Sequence, residues 1–307
     1  MNRIHIIMAT YNGENYVSQQ IESILNSEGV DVFVTVYDDG SKDATLDIVK
    51  KFVEKDPDRI ELIQNEKNMG LTRNFLQGLL TEKFDYVMFS DQDDVWKPDK
   101  VKKTYDFMRQ TESKESKNQP IVVFTDAVIV DETLKEINPS FHRSGGYDTT
   151  KLDFAHMLME NKMMGCTMML NRAVTQKVNA LPEHARYHDW WLALIASCYG
   201  KIAYLKEGTI LYRQHGNNIV GDVSYGSYVK KRMRALKQQK SAIEETIGQA
   251  RELYEMYGDD MPDASRKILK DFVQLSDAGW FKRRRLLFKH GFFKSGFARN
   301  IGLLLII

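Results

Sequence analysis

Short apolar runs alternate with amphipathic stretches over the first third of the chain. Arg3 to Ala9 reads as a buried strand, and Thr10-Tyr11-Asn12-Gly13 as the turn that follows. From Glu14 to Asn26, Val17, Ile21, Ile24 and Leu25 recur at helical spacing and predict an amphipathic helix. Asp31 to Tyr37 is a second β-rich run, ending at Asp38-Asp39-Gly40-Ser41. Asp43 is placed to cap a helix with Leu46, Ile48, Val49 and Phe52 on its apolar face. Ile60 to Ile63 is a short third strand, and Asn68-Met69-Gly70 turns into a helix from Leu71 to Leu80. Tyr86-Val87-Met88-Phe89-Ser90 is a fourth strand. Strand–helix alternation at this spacing implies a parallel sheet with crossover helices, in which ligands bind at the carboxyl ends of strands.

The pattern then changes. Ile121 to Thr125 and Ala127 to Val130 read as two strands, after a polar stretch from Thr111 to Gln119 that predicts a surface loop. Asp153 to Glu160 predicts a helix, and Gly165 to Leu170 is a Met-rich apolar run. Tyr187-His188-Asp189-Trp190-Trp191 opens a strongly apolar helix that runs to Tyr199. Ile202 to Leu205 and Thr209 to Tyr212 predict a strand pair, and Arg213-Gln214-His215-Gly216-Asn217-Asn218 closes the body. Three helical segments follow, Tyr228 to Tyr257, Ala264 to Leu275 and Trp280 to Phe297. The expected organisation is an α/β domain over 1–220 and a helical extension over 221–307.

Composition adds a charge asymmetry. With 43% hydrophobic and 28% charged residues the chain can bury a core, and a net charge of +1 gives no argument for nucleic acid. From Tyr225 onward, however, there are 17 Lys+Arg against 9 Asp+Glu, out of 43 and 42 in the whole chain. The extension is therefore basic and the body acidic. Lys282-Arg283-Arg284-Arg285 lies among Trp280, Phe281, Phe288 and Phe297, a composition suited to an anionic membrane surface. Cys166 and Cys198 form neither a disulfide framework nor a metal spacing, as in a reducing cytoplasm. The apolar start is too short for a signal peptide, and the apolar end, Ile301 to Ile307, is far below the roughly 20 residues of a membrane span. The expected location is cytoplasmic and peripheral on the cell membrane.

The candidate chemistry centres on Asp91-Gln92-Asp93-Asp94, where a buried strand delivers three carboxylates to a sheet edge. Such a cluster needs a counter-charge. A hard ion such as Mg²⁺ or Mn²⁺ takes one or two carboxylates and completes its shell with water and phosphate oxygens. A solvated acidic turn is the alternative. No Gly-x-Gly-x-x-Gly follows the first strand and no phosphate loop is present, which disfavours a dinucleotide dehydrogenase and a P-loop NTPase.

Ala9-Thr10-Tyr11-Asn12-Gly13, Asp38-Asp39-Gly40-Ser41-Lys42-Asp43-Ala44-Thr45, Asn68-Met69-Gly70 and Asp91-Gln92-Asp93-Asp94-Val95-Trp96 occur in order at strand ends. Together they resemble family 2 glycosyltransferases of the A-type fold, over about residues 3 to 220. With Tyr212-Arg213-Gln214-His215-Gly216-Asn217-Asn218 they look most like the bacterial rhamnosyltransferase branch. Ala9 stands where many relatives carry Pro. The resemblance implies a Rossmann-like mixed sheet flanked by helices and an inverting transferase using a nucleoside-diphosphate sugar and Mn²⁺ or Mg²⁺. It implies that Asp39 faces the base with Thr10 and Asp38 beside it, that Asp91 lies near the ribose, that Gln92 belongs to the nucleotide-sugar site, that Arg73 supports base or phosphates, and that Asp93 binds the metal. His215 would complete the metal shell or touch the diphosphate.

Inversion requires a carboxylate to take the acceptor's proton. Asp189, at a helix start beside Trp190 and Trp191, is the candidate, and the resemblance also puts the base there. Glu183 and Asp153 are next. The two tryptophans are expected to pack on the acceptor sugar. The expected reaction is rhamnosyl transfer from dTDP-L-rhamnose to a lipid-linked or polymeric saccharide. The alternatives are a UDP-hexose transferase of the same family and a non-catalytic binding subunit, which the complete acid set argues against.

Overall fold

The computed structural model describes residues 3–116, 118–215 and 228–307. Strands β1 (Arg3–Thr10), β2 (Asp31–Asp38), β3 (Ile60–Gln64) and β4 (Tyr86–Ser90) are joined by helices α1 (Val17–Leu25), α2 (Thr45–Lys55) and α3 (Leu71–Gln77). All their pairings are parallel. β1 and β4 are apolar on both faces because helices cover both sides, and they are buried along nearly their whole length. In register, Thr10 lies opposite Asp38, so the first two loops emerge side by side.

The second half makes the sheet mixed. After β5 (Val95–Trp96) and α4 (Lys100–Glu112) come β6 (Ile121–Val130), β7 (Glu136–Asn138), α5 (Phe141–Ser144) and α6 (Phe154–Met159). Then follow β8 (Met168–Asn171), α7 (Arg172–Thr175), α8 (His188–Tyr199) and β9 (Lys201–Arg213). The strand order is β3-β2-β1-β4-β8-β6-β9-β5, with β7 on β6. β8 enters antiparallel between β4 and β6. The parallel expectation therefore holds for the first four strands and for β6 with β9, and fails at β8, β7 and β5, which pair antiparallel.

Two expected strand pairs are single strands. β6 runs through Asp126, and Ile202–Leu205 and Thr209–Tyr212 both belong to β9, which pairs parallel with β6 along its length. The register shifts around Asp126, opposite the Lys206-Glu207 excursion, and that irregularity accounts for the polar break in each sequence. α8 is buried on almost every side, as an apolar helix without a polar face must be.

Helices α9 (Tyr228–Tyr257), α10 (Asp263–Val273), α11 (Trp280–His290) and α12 (Phe297–Ile306) form the C-terminal extension. The expected continuous segment Trp280–Phe297 is broken. α11 ends at Gly291, whose φ of 70° is the left-handed cap that glycine adopts without a Cβ clash. Leu253, Leu269, Phe272, Leu287, Phe292 and Leu303 share one buried cluster with Met157, Trp191 and Leu194 of the body. The expected boundary at residue 220 lies outside the described residues. Among the described residues no helix is long and apolar enough to cross a membrane.

Phe272 is fully buried and packs edge-on against Phe292, with ring centroids 4.9 Å apart. Phe272→Ala should cost about 3–5 kcal/mol in urea unfolding, the range for emptying an aromatic core site. A loss below about 1 kcal/mol would mean that the extension contributes little to the common core.

Candidate active site

The carboxyl ends of β1, β2 and β4 open onto a cavity of about 980 Å³. Its near wall carries Thr10, Asp39, Asp91, Gln92 and Asp93, and its middle carries Cys166, His188 and Asp189.

The two acids after β2 have different surroundings. Asp38 is fully buried and outside the cavity lining. Its carboxylate accepts from Thr10 Oγ1 at 2.9 Å, Ser41 Oγ at 2.6 Å, Ser41 N at 2.9 Å and Gly40 N at 3.1 Å. Every lone pair is committed to the turn, so the expectation that Asp38 contacts the nucleotide is corrected: it shapes the loop. Asp39 does face the cavity. It accepts from Asn65 Nδ2, Met69 N and Gly70 N at 2.9, 2.8 and 2.9 Å, which draws the Asn68-Met69-Gly70 turn onto the site. Gly70 has a φ of 81°, which favours glycine at this turn.

Thr10 lines the cavity while its hydroxyl donates to Asp38. Gln92 accepts from Tyr11 N at 2.9 Å and donates to Tyr11 O at 3.1 Å, clamping the first loop. A Cβ on Gly13 would lie 2.2 Å from Gln92 Oε1, so a larger residue there would displace the Gln92 amide from Tyr11. Arg73 is a second correction. It is exposed and outside the lining, because Leu71 and Asn74 occupy the cavity-facing side of α3 and Arg73 is rotated away from both.

The acids after β4 are crowded. Burial, then the nearby Asp93 and Asp189 charges, push Asp91 up to about 7. Asp94 sits deeper, outside the lining, and is raised well above the carboxylate range by burial and by Asp93 and Asp91. Its Oδ1 accepts from Arg213 N at 3.2 Å, and no hydrogen bond to its Oδ2 is present among the described residues. Ligating atoms of Asp91, Asp94 and Cys166 lie within 4.8 Å of one another. Burial and the adjacent acids raise the Cys166 thiol well above its ordinary value, so it stays protonated and is a poor ligand for a hard ion. Asp93 lines the cavity and lies 2.8 Å from His215 Nε2, whose ring stacks on Tyr16 at 5.0 Å. Several mutually repelling carboxylates, with one imidazole beside Asp93, fit a hard divalent cation. The neighbouring Gly216-Asn217-Asn218 lies outside the described residues.

Asp189 opens α8. Burial raises its carboxyl to about 6, against hydrogen bonds from Asn161, Trp190 N and Gly165 N. The next candidates do not line the cavity: Glu183 is exposed, and Asp153 caps α6 by accepting from His156 N. Successive helix positions differ by about 100°, so Trp190 and Trp191 cannot both face the cavity. Trp190 borders it, donating from its indole to Met157 O at 2.6 Å. Trp191 is fully buried beside Tyr257 and offers no face to a sugar, which corrects that expectation.

Sequence reasoning passed over His188. It lies between Phe75 and Phe89, lines the cavity, and is held neutral by burial, with its pKa lowered to about 3. Its Nε2 has no hydrogen-bond partner among the described residues. A Cβ on Gly165 would lie 2.2 Å from that nitrogen, so Gly165 is required where it stands. The signal in the sequence was only adjacency to Asp189. Asn161, Arg186 and Lys294 also line the cavity and carried no sequence signal.

The sequence profile of Glycosyl transferase family 2 matches residues 5–172. The chain is 30% identical to the dTDP-rhamnosyl transferase RfbG of Shigella flexneri over 241 residues, 73% of this chain and 77% of that protein. Among solved structures, S. aureus TarS 1-349 in complex with UDP-GlcNAc aligns with a TM-score of 0.58 at 17% identity, over 89% of this chain and 73% of that one. The mannosyltransferase PcManGT from Pyrobaculum calidifontis, in complex with GDP-Man and Mn2+, aligns with a TM-score of 0.54 at 16% identity, over 99% and 79%. These structural likenesses establish a mixed sheet flanked by helices as the A-type glycosyltransferase fold. The chain belongs to glycosyl transferase family 2.

Proposed function

We propose that the protein moves L-rhamnose from dTDP-L-rhamnose to a hydroxyl of a cell-surface polysaccharide precursor, with inversion. The observation that carries the transfer reading is that Asp39, Asp91, Asp93 and the buried Asp189 face one cavity. The choice of rhamnose rests on the likeness to a dTDP-rhamnosyl transferase.

In this reading Asp39, Thr10 and Gln92 frame the nucleotide. Asp91, Asp93 and His215 would hold Mn²⁺ or Mg²⁺, which when bound offsets the charge gained by the leaving diphosphate. Asp189 accepts the proton of the attacking hydroxyl, and a burial-raised pKa suits a base working near neutrality. Asn161, Trp190 N and Gly165 N fix its orientation.

Donor and metal can be read in one titration. dTDP-L-rhamnose with Mn²⁺ should raise the Tm, with a gain of about 2.7 kcal/mol at 100 times Kd. EDTA should remove most of that gain. Stabilisation by UDP-glucose alone would replace rhamnose with a hexose, and an unchanged response in EDTA would exclude the metal role.

The base has its own signature. Asp189→Asn should lower kcat by on the order of 10²–10⁴ while dTDP binding changes little. Because the base must be unprotonated, kcat/KM of the unaltered enzyme should fall as pH drops below about 6. A near-normal kcat in the variant, or a flat profile through that range, would move the base elsewhere.

The extension is assigned a peripheral contact with the cytoplasmic face of the cell membrane. Phe281 and Phe297 are 83% and 82% exposed, and Lys282 and Arg285 lie exposed beside Phe281. Arg283 and Arg284 contribute less, since their guanidiniums bond backbone carbonyls, Arg284 to Leu304 O and Ile307 O among them. Deleting the chain from Trp280 onward would remove Leu287, Phe292 and Leu303 from the core, so point changes are the sounder test. Phe281→Ser with Phe297→Ser should abolish cosedimentation with anionic liposomes while dTDP binding persists. Undiminished cosedimentation would remove the assignment.

A further inference from the structure

The segment between α6 and β8, residues 160–165, carries two of the groups that hold Asp189, the Asn161 side chain and Gly165 N. From 160 to 164 it is neither helix nor strand, yet Lys162, Met163 and Gly165 are buried. An irregular buried segment has to place its backbone groups on partners outside itself. Within it, Asn161 Oδ1 accepts from Met163 N at 3.1 Å, which leaves the amide nitrogen to Asp189. Lys162, the residue between, sends its ammonium away to Lys151 O at 2.6 Å. The Lys162 carbonyl oxygen accepts from His142 Nε2 at 2.9 Å.

His142, in α5, has little freedom. It is buried, with its ring centroid 5.0 Å from that of Tyr204 and 5.4 Å from that of Phe124. Its Nδ1 lies 2.9 Å from Asp126 Oδ1. Asp126 sits where β6 and β9 lose register, and it also accepts from His142 N, Ala127 N, Tyr204 OH and Ser140 Oγ. Burial opposes its ionisation, but the hydrogen bonds from His142 and Ser140 prevail and hold the carboxyl well below its ordinary range. An ionised carboxylate and a carbonyl oxygen can only accept, so both ring nitrogens of His142 donate and the ring spans from Asp126 to Lys162 O.

We propose that His142, braced by Asp126, is a positioning residue for the base: its bond to Lys162 O fixes the 160–165 segment and with it the donors that orient Asp189. This rests on the transferase reading above and deepens it. Neither His142 nor Asp126 lines the cavity, so both act through Lys162 and its neighbours and a change in either alters no substrate contact directly. The grip falls on the residue between Asn161 and Met163, whose mutual bond aims the amide, so releasing it loosens that aim first. A base displaced by a fraction of an ångström loses its reach to the attacking hydroxyl.

Two amides separate this role from a merely structural one. Asn carries its amide where Nδ1 lies and keeps the bond to Asp126, whereas Gln reaches one atom farther, to where Nε2 meets Lys162 O. Both remove the ring and any charge on it, so their difference reads the bond to Lys162 alone. Amide hydrogen exchange on the full chain needs no turnover. Residues 161–165 should exchange at least about tenfold faster in His142→Asn than in the unaltered protein, and near the unaltered rate in His142→Gln. Release of dTDP from dTDP-L-rhamnose with Mn²⁺, water serving as acceptor, should show kcat lowered about tenfold in His142→Asn with KM unchanged, and both kept in His142→Gln. Exchange that is unchanged in His142→Asn, or raised equally in both variants, would overturn the brace. Faster exchange with an unchanged kcat would separate the brace from the base and overturn its catalytic meaning. The reverse order, with His142→Gln the weaker variant, would make His142 a support for Asp126 alone. Loss of dTDP affinity in either variant would mark the residue as structural and overturn the proposal. If the unaltered protein releases no dTDP, the rhamnosyl reading fails, and the exchange rates still decide whether His142 holds the segment.

Discussion

The crowding of negative charge at the end of β4 governs the rest of the site. Asp91, Asp93 and Asp94 occur within four positions, and Asp189 is close enough to raise Asp91 further. Such charge is tolerable only if each acid is protonated, paired or neutralised by a cation. The protein uses several routes at once. His215 pairs with Asp93, a backbone N–H meets Asp94, and Asp91 is pushed up to about 7. Lys100, fully buried and lowered to about 8, lies on the Asp94 side. The remaining demand for positive charge faces the cavity.

The same residue type takes opposite roles depending on who donates to it. Asp38 receives four hydrogen bonds from its own loop and its neighbour strand, and is used up by them. Asp39, the next residue, points to the other side of the strand end and holds the Met69–Gly70 turn at the cavity rim. Asp189 also receives hydrogen bonds, but it is buried, and burial prevails: its carboxyl rises to about 6. Position at a strand or helix end thus decides whether an acid shapes a loop or faces a substrate.

The C-terminal helices complete this arrangement. They pack on α6 and α8 through a common core, and the side of α12 not needed for packing lines the cavity beside Asp189. A basic, aromatic tail is therefore also part of the active-site wall. Part of its positive charge is structural, with Arg284 closing the end of α12 and Arg299 bonding Gly145 O.

The sequence by itself determined the elements and their polarity. Continuous apolar runs marked β1 to β4 and α8, and helical spacing marked α1, because burial on every face or on one stripe leaves a local imprint. The order of acid-bearing turns at strand ends carried the family. What depended on rotation and depth was not legible. Trp191 and Trp190 are equivalent in sequence, yet a helical step of about 100° puts one in the core and one at the cavity. Arg73 was lost to the same geometry, and Asp38 to hydrogen bonds from a loop that only folding brings near. The antiparallel entry of β8 beside β4 joins residues more than eighty positions apart, and the meeting of Arg186 with Lys294 and Arg299 joins residues more than a hundred apart. No local pattern encodes such contacts, so the tertiary structure alone decided them.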